Sequence, residues 1–342
     1  MIFKRIVCII YLFSLCILQK GIAQNSDTPN TSTIMSDKLI QPPYLQSGDT
    51  VAIVAPSGIL KNRDKEIKQS SALLKSWGLK VVIGEHVFNK AGHFAGTDAE
   101  RTEDLQKALD DPKIKAIWIA RGGYGTVRII DGLDYSKFKE HPKWLIGYSD
   151  ITALHNDIHN EGVETIHALM CTSLTDDLED IMASISTFKK AIFGTPLNYN
   201  IKGSKYNKIG KAKGQLVGGN LTLLHTMLGS STSISTDGKI IFFEEIGEYA
   251  YHIDRMLISL KRAGYFENCK GIIVGDITKV RKNTTPWGKP VRQLILDVFA
   301  EYDFPILFDF PAGHEKDNRA LILGRTVEIN VQKDLSTLVY PE

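Results

Sequence analysis

With 342 residues, the chain is long enough for two domains with cores of their own. Hydrophobic residues make up 43% and charged residues 23%, the balance of an ordinary soluble globular protein. Lysine plus arginine exceeds aspartate plus glutamate by only two, 41 against 39, and no basic run stands out, which argues against a nucleic-acid partner.

At the N-terminus, Lys4 and Arg5 precede an apolar run over 6–18, and Gly21-Ile-Ala23 offers a small-x-small cleavage site. This predicts a secretory signal peptide over 1–23, and so an exported, periplasmic protein with no stable membrane insertion once the signal is removed. Retention of the run as an anchor is the alternative, although it is short for a membrane span. Lipid modification at Cys16 is disfavoured by the bulky Leu15 beside it. Residues 24–40 read as a polar, Ser/Thr/Asn-containing flexible tether. Cys8 and Cys16 leave with the signal, so only Cys171 and Cys269 remain, enough for at most one bridge.

The body of the chain then alternates strands and helices. Strands are predicted over 49–55, 79–83, 114–120 and 144–147, and helices over 64–77, 98–109, from Val127 onward, and over 151–160. Such alternation argues for a parallel sheet covered on both faces, with ligands gathering at the carboxyl ends of its strands. Both the loop Arg121-Gly-Gly-Tyr-Gly125 and the turn at Ser149 fall at such ends. After about residue 173 the pattern loosens, with one helix over 178–193. The second half begins at Gly214-Gln-Leu-Val-Gly-Gly-Asn220 and is predicted to have strands over 239–245, 271–275, 305–310 and 325–331, and helices over 221–228, 251–263 and 290–302.

The chemistry is concentrated at Gly147-Tyr-Ser-Asp-Ile-Thr152. A serine on a sharp strand-to-helix turn is a nucleophile-elbow arrangement, with Gly147 expected to supply the unusual backbone angles. Ile151 stands where an α/β-hydrolase elbow wants glycine, so that fold is disfavoured. Ser and Asp are also strong helix N-caps, so Ser149 or Asp150 could simply start the helix. A nucleophilic serine needs a base and an orienting acid. His314 follows a strand end and a Gly-containing loop. Glu244 ends the apolar run Ile240-Ile-Phe-Phe243. Each is also compatible with a plain surface position. His155 and His159, four residues apart on one helix face, have zinc-ligand spacing, but Asn156 stands where the metalloprotease pattern wants glutamate. Arg121-Gly-Gly-Tyr-Gly125 matches neither dinucleotide nor phosphate-loop patterns; its glycines suit an oxyanion turn or a tight turn.

Taken together, Gly48-Asp-Thr-Val-Ala-Ile-Val-Ala-Pro-Ser-Gly58, Arg121–Gly125, Gly147–Thr152, Gly214-Gln-Leu-Val-Gly-Gly-Asn-Leu221, Phe243-Glu-Glu-Ile-Gly-Glu248 with Asp254-Arg-Met256, and Phe310-Pro-Ala-Gly-His314 resemble the LD-carboxypeptidases. These serine peptidases include muramoyltetrapeptide carboxypeptidase and the microcin C immunity peptidases. The resemblance spans about residues 40–335. It implies an α/β fold: a flavodoxin-like N-terminal domain with a parallel sheet over 41–175, an interdomain connection over 176–212, and a smaller swivelling β/β/α domain over 213–340. It further implies Ser149 as nucleophile, His314 as general base and Glu244 as orienting acid, with an oxyanion hole from the N–H groups of Asp150, Gly122 and Gly123. Arg121 and Asn220 are the candidates for holding substrate. The implied reaction releases terminal D-alanine from peptidoglycan-derived tetrapeptides without metal or cofactor, in a protein often dimerised. Detoxification of microcin C-like peptide-nucleotides, or non-catalytic binding by an exported protein, are the competing readings.

Overall fold

A computed structural model describes residues 38–174 and 179–341. The expected signal peptide, its cysteines and the tether up to residue 37 lie outside the described residues. Ile40, at the tether's expected end, is already paired: its N–H donates to the Gly162 carbonyl at 2.7 Å and it bridges Val163.

The first sheet grows from the apolar runs. Strands β1 (Thr50–Val54), β2 (Lys80–Ile83), β3 (Ile114–Ile119), β4 (Trp144–Gly147) and β5 (Thr165–His167) are all parallel, in the order β5-β4-β3-β1-β2. That is the flavodoxin-like order, in which ligands sit where the direction of winding reverses, beside β1 and β3. β1, β3 and β4 are buried almost throughout, as strands covered on both faces must be. Helices α1 (Asp64–Ser76) and α2 (Asp98–Asp110) provide cover. α2 starts on a capping box in which Thr97 and Glu100 satisfy each other's N–H groups.

The helix expected from Val127 does not form there. Residues 126–128 and 130–132 make 3₁₀ turns, and only Ser136–Glu140 (α3) is α-helical. Gly125 at φ +140° precedes the first of these turns, and Gly132, a poor helix former, ends the second. α4 (Thr152–Asn160) follows the serine turn, and α5 (Met182–Phe193) ends at Gly194 in the left-handed conformation.

The second sheet contains β6 (Asn198–Lys202), β7 (Gly210–Asn220), β8 (Ile240–Ile246), β9 (Gly271–Thr278), β10 (Ile306–Leu307), β12 (Thr326–Val331) and β13 (Leu335–Val339), in the order β10-β9-β8-β7-β12-β13-β6. β7 works on both sides. Its first half pairs antiparallel with β12, and residues 216–220 pair parallel with β8, leaving Asn220 opposite Glu244. Helices α6 (Leu221–Thr226), α7 (Ala250–Arg262) and α8 (Val291–Val298) belong to this half.

The two sheets are not cleanly divided along the chain. β11 (Leu321–Leu323), from the C-terminal half, adds antiparallel to β5 and completes six strands. β6, within the expected connection, is the edge strand of the second sheet. From Lys38 onward the chain forms one compact unit. Arg325 clamps it with a double ion pair to Glu164, 2.5 Å at the closest oxygen, and donates to the Tyr44 hydroxyl at 2.7 Å. Asn160 also reaches the carbonyls of Ser231 and Ser233.

Candidate active site

β4 carries Trp144 to Gly147 to the carboxyl edge of the first sheet, and the chain turns there in one residue. The strained residue is the serine. Ser149 has φ +64°, a left-handed conformation costly for a residue with a Cβ. Gly147, expected to supply that freedom, has no positive φ. It is needed for room, since a Cβ there would lie 3.0 Å from the Ile151 side chain.

The plain capping reading does not hold for Asp150. Its buried carboxylate accepts from the N–H and hydroxyl of Thr126 at 2.9 and 2.7 Å, and Thr126 in turn takes a hydrogen bond from the Ser57 hydroxyl at 2.7 Å. Asp150 thereby ties the serine turn to the loop after β3. Gly122 in that loop packs directly on the turn: a Cβ on it would sit 3.3 Å from the Ser149 Cβ. The Gly122 carbonyl is held by the Gly58 N–H at 3.1 Å, while among the described residues no backbone–backbone hydrogen bond uses the Gly122 or Gly123 N–H.

From the second sheet come the acid and the base. β8 ends its apolar run in Glu244 and Glu245, and neighbouring strand residues point to opposite faces. Glu244, fully buried, reaches His314 Nδ1 at 2.6 Å. Glu245 faces the other way, accepting from the N–H and hydroxyl of Thr222 at 2.8 and 2.7 Å and from Asn220 Nδ2 at 3.2 Å. Glu248 lies beyond the strand, paired with His252 at 2.5 Å.

His314 Nε2 stands 3.0 Å from Ser149 Oγ. With Nδ1–H donating to the Glu244 carboxylate, Nε2 carries a lone pair and accepts from the serine hydroxyl. Burial opposes a charged imidazole here. The Glu244 carboxylate, by charge and hydrogen bond, with Glu245 and Asp276 behind it, outweighs burial and holds His314 above its ordinary range. Tyr148 adds a ring edge-on to His314, 5.0 Å between centroids.

The remaining sequence candidates go elsewhere. The Arg121 guanidinium donates to the Ile59 carbonyl. Asn220 caps α6 by accepting from the Leu223 N–H, and its own N–H donates to Thr152 Oγ1 at 2.8 Å. His155 is buried with both ring nitrogens occupied: Nε2–H donates to the Gly147 carbonyl at 3.0 Å, which leaves Nδ1 to accept from Thr165 at 2.9 Å. Burial pushes it down to about 4. His159 lies 3.2 Å from the Lys239 ammonium, and burial, aided by that charge, likewise lowers it to about 4. The pair therefore packs rather than converging on a common point. Cys171 and Cys269 are separate buried free thiols.

Sequence reasoning missed Asp276, on the strand beside Glu244, whose carboxylate accepts from the Glu315 N–H at 3.0 Å. The available signal was the one that marked Glu244: an acid ending an apolar strand, here Gly271-Ile-Ile-Val-Gly275.

Comparison with known proteins finds a family match in both halves of the chain. A family model described as the LD-carboxypeptidase N-terminal domain matches residues 51–168, and one described as the LD-carboxypeptidase C-terminal domain matches residues 213–329. The chain is 36% identical over 303 residues to a probable murein peptide carboxypeptidase of Bacillus subtilis, covering 87% of this chain and 94% of the relative. Among solved structures, it is similar to muramoyltetrapeptide carboxypeptidase from Oxalobacter formigenes, with TM-score 0.76 and 26% identity over 86% of this chain and 99% of that one. The fold alone is shared with MccF in complex with glutamyl sulfamoyl guanosine, at TM-score 0.78 and 21% identity over 89% and 98% of the two chains.

Proposed function

The chain belongs to the LD-carboxypeptidase family, and from that premise we propose that it is a serine carboxypeptidase releasing terminal D-alanine from peptidoglycan-derived tetrapeptides. The observation that carries the reading is the unbroken row from Ser149 Oγ through His314 to Glu244, at 3.0 and 2.6 Å.

In this reading Ser149 Oγ attacks the carbonyl of the scissile L,D bond while His314 Nε2 takes its proton. Glu244 holds Nδ1–H and stabilises the imidazolium that forms. N–H groups of Asp150 and the Gly122–Gly123 turn receive the charge developing on the carbonyl oxygen. Collapse of the tetrahedral adduct breaks the C–N bond, with the proton passing from His314 to the amine of D-alanine. Water, deprotonated by His314, then releases the tripeptide from Ser149. The positive φ of Ser149 fits this role, since strained backbone persists where the surroundings fix a functional side chain. Arg121 is assigned to the terminal carboxylate of the substrate, with which a guanidinium pairs bidentately, and Asn220 is assigned to substrate binding as well.

The N-terminal segment over 1–23 is the ground for placing the reaction outside the cytoplasm, on wall-derived peptides; cell fractionation tests that part separately. The activity itself is tested with paired tetrapeptides ending in D-alanine or L-alanine, beside an aminoacyl-sulfamoyl nucleoside. Release of D-alanine with discrimination against the L-epimer supports the proposal. Cleavage of the nucleoside conjugate alone supports the detoxifying reading instead. Failure of a fluorophosphonate to label Ser149 would leave only a binding protein.

A further inference from the structure

Glu244 and Asp276 stand near the carboxyl ends of the adjacent parallel strands β8 and β9, and the register between those strands is irregular at this point. Phe243 pairs with Val274 but Glu245 pairs with Ile277, so the single residue Glu244 is opposed by two, Gly275 and Asp276. An extra residue of this kind bends a strand and re-aims its side chains. The loop bearing His314 docks into the bend. A Cβ on Gly275 would lie 2.3 Å from the Ala312 carbonyl oxygen, so only glycine admits that approach.

Asp276 then holds the loop on both sides of the imidazole. Its own N–H donates to the Ala312 carbonyl at 2.9 Å, and its carboxylate Oδ2 accepts from the Glu315 N–H at 3.0 Å. Gly313 lies between these bonds, its missing Cβ position 2.8 Å from the Asp276 Cβ and 3.1 Å from that of Glu244. We propose that Asp276 is a positioning residue for His314, fixing the imidazole between Ser149 and Glu244 and adding its charge to that of Glu244 when the imidazolium forms. The inference rests on the reading of Ser149, His314 and Glu244 as the catalytic set.

The sign of the charge effect follows from the groups around His314. From β8 come Glu244 and Glu245, from β9 Asp276, and from its own loop Glu315. Tyr148 and Ser149 face it from the serine turn, and His167 lies on β5. Burial, with smaller contributions from its neighbours, keeps His167 neutral, down to about 3, and burial raises Tyr148, so neither carries charge near neutrality. Burial chiefly raises the Asp276 carboxyl to about 6; the Glu315 N–H works against this and the nearby Glu244 with it. As a carboxylate, Asp276 favours the charged imidazole.

Two variants separate position from charge. Asp276→Asn keeps an oxygen for the Glu315 N–H and removes the charge. It should retain kcat within about fivefold and move the ascending limb of kcat/KM to lower pH. Asp276→Ala removes the acceptor as well and should lower kcat roughly 10- to 100-fold with KM little changed, per active site titrated with a fluorophosphonate. An unmoved limb in Asp276→Asn overturns the inference even if Asp276→Ala fails to fold. So does a kcat in folded Asp276→Ala equal to wild type. If wild-type protein is not labelled at Ser149, the catalytic reading falls and this inference falls with it. Labelling without the limb shift removes the inference alone.

Discussion

Replacing Glu244 by glutamine changes one charge at a fully buried site and almost nothing in shape. Its Oε2 lies 2.6 Å from His314 Nδ1, and Oε1 has no hydrogen-bond partner among the described residues. The amide can turn its oxygen to Nδ1–H and keep the tautomer, or turn its NH₂ there and force the proton to Nε2, where it blocks proton transfer from serine. In either case the imidazolium loses its counter-charge. A charge-assisted hydrogen bond contributes about 1.5–3 kcal/mol, and a unit charge at ~4 Å about 4 kcal/mol at an effective dielectric near 20. A loss of about 2–4 kcal/mol in the transition state is roughly a 30- to 10³-fold fall in kcat. Because Glu244 also raises His314 in the free enzyme, the ascending limb of kcat/KM should move to lower pH in the variant. The assay is D-alanine release across pH 5–9 for Glu244→Gln, Glu245→Gln and Glu248→Gln. Glu245 supports Thr222 and Asn220, so its variant should lose stability more than rate. Glu248 forms a partly exposed pair with His252 that is worth little. A damaging Glu248→Gln beside a mild Glu244→Gln would refute the assignment of the acid. Three harmless substitutions would refute the triad.

Ser149→Ala should lower kcat by roughly 10³-fold or more with unfolding free energy unchanged. Ser149→Gly should be equally inactive yet more stable by about 1 kcal/mol in urea titration, because glycine relieves the strain at φ +64°. Arg325→Met leaves Glu164 buried without its partner and should cost about 3–5 kcal/mol. A loss below 1 kcal/mol would show that the clamp between the two halves is dispensable. Arg121→Lys should raise KM more than it lowers kcat; equal loss on a substrate amidated at its C-terminus would make the arginine purely structural, as its bond to the Ile59 carbonyl would then explain it.

The first sheet was legible because its central strands are buried on both faces and so appear as unbroken apolar runs, such as 114–120 and 144–147. Strands exposed on one face carried a weaker signal. The start of β7, Gly210-Lys-Ala212, fell in the stretch read as a connection, because the first half of this strand alternates exposed lysines with small, less exposed residues. β11 is three residues long and owes its existence to its neighbour β5, which no local pattern encodes. The serine turn was visible as strand, turn and helix, but the residue bearing the strain was misplaced by two, since a glycine can be required for space as well as for angle. His314 and Glu244 lie 165 and 95 positions from Ser149, so local sequence marked each only as an acid or base at a strand end. Their meeting is a property of the two sheets. Asp276 carried the same mark and went unread because its strand was taken to end at Gly275.

The central claim is that Ser149, backed by His314 and Glu244, cuts the bond to a terminal D-alanine. The most direct measurement is the mass of a disaccharide-tetrapeptide after incubation with purified wild-type protein and with Ser149→Ala. The account predicts conversion to the tripeptide with one equivalent of free D-alanine for the wild type, and unchanged substrate for the variant. Intact tetrapeptide in both reactions, or equal conversion by both, would contradict it.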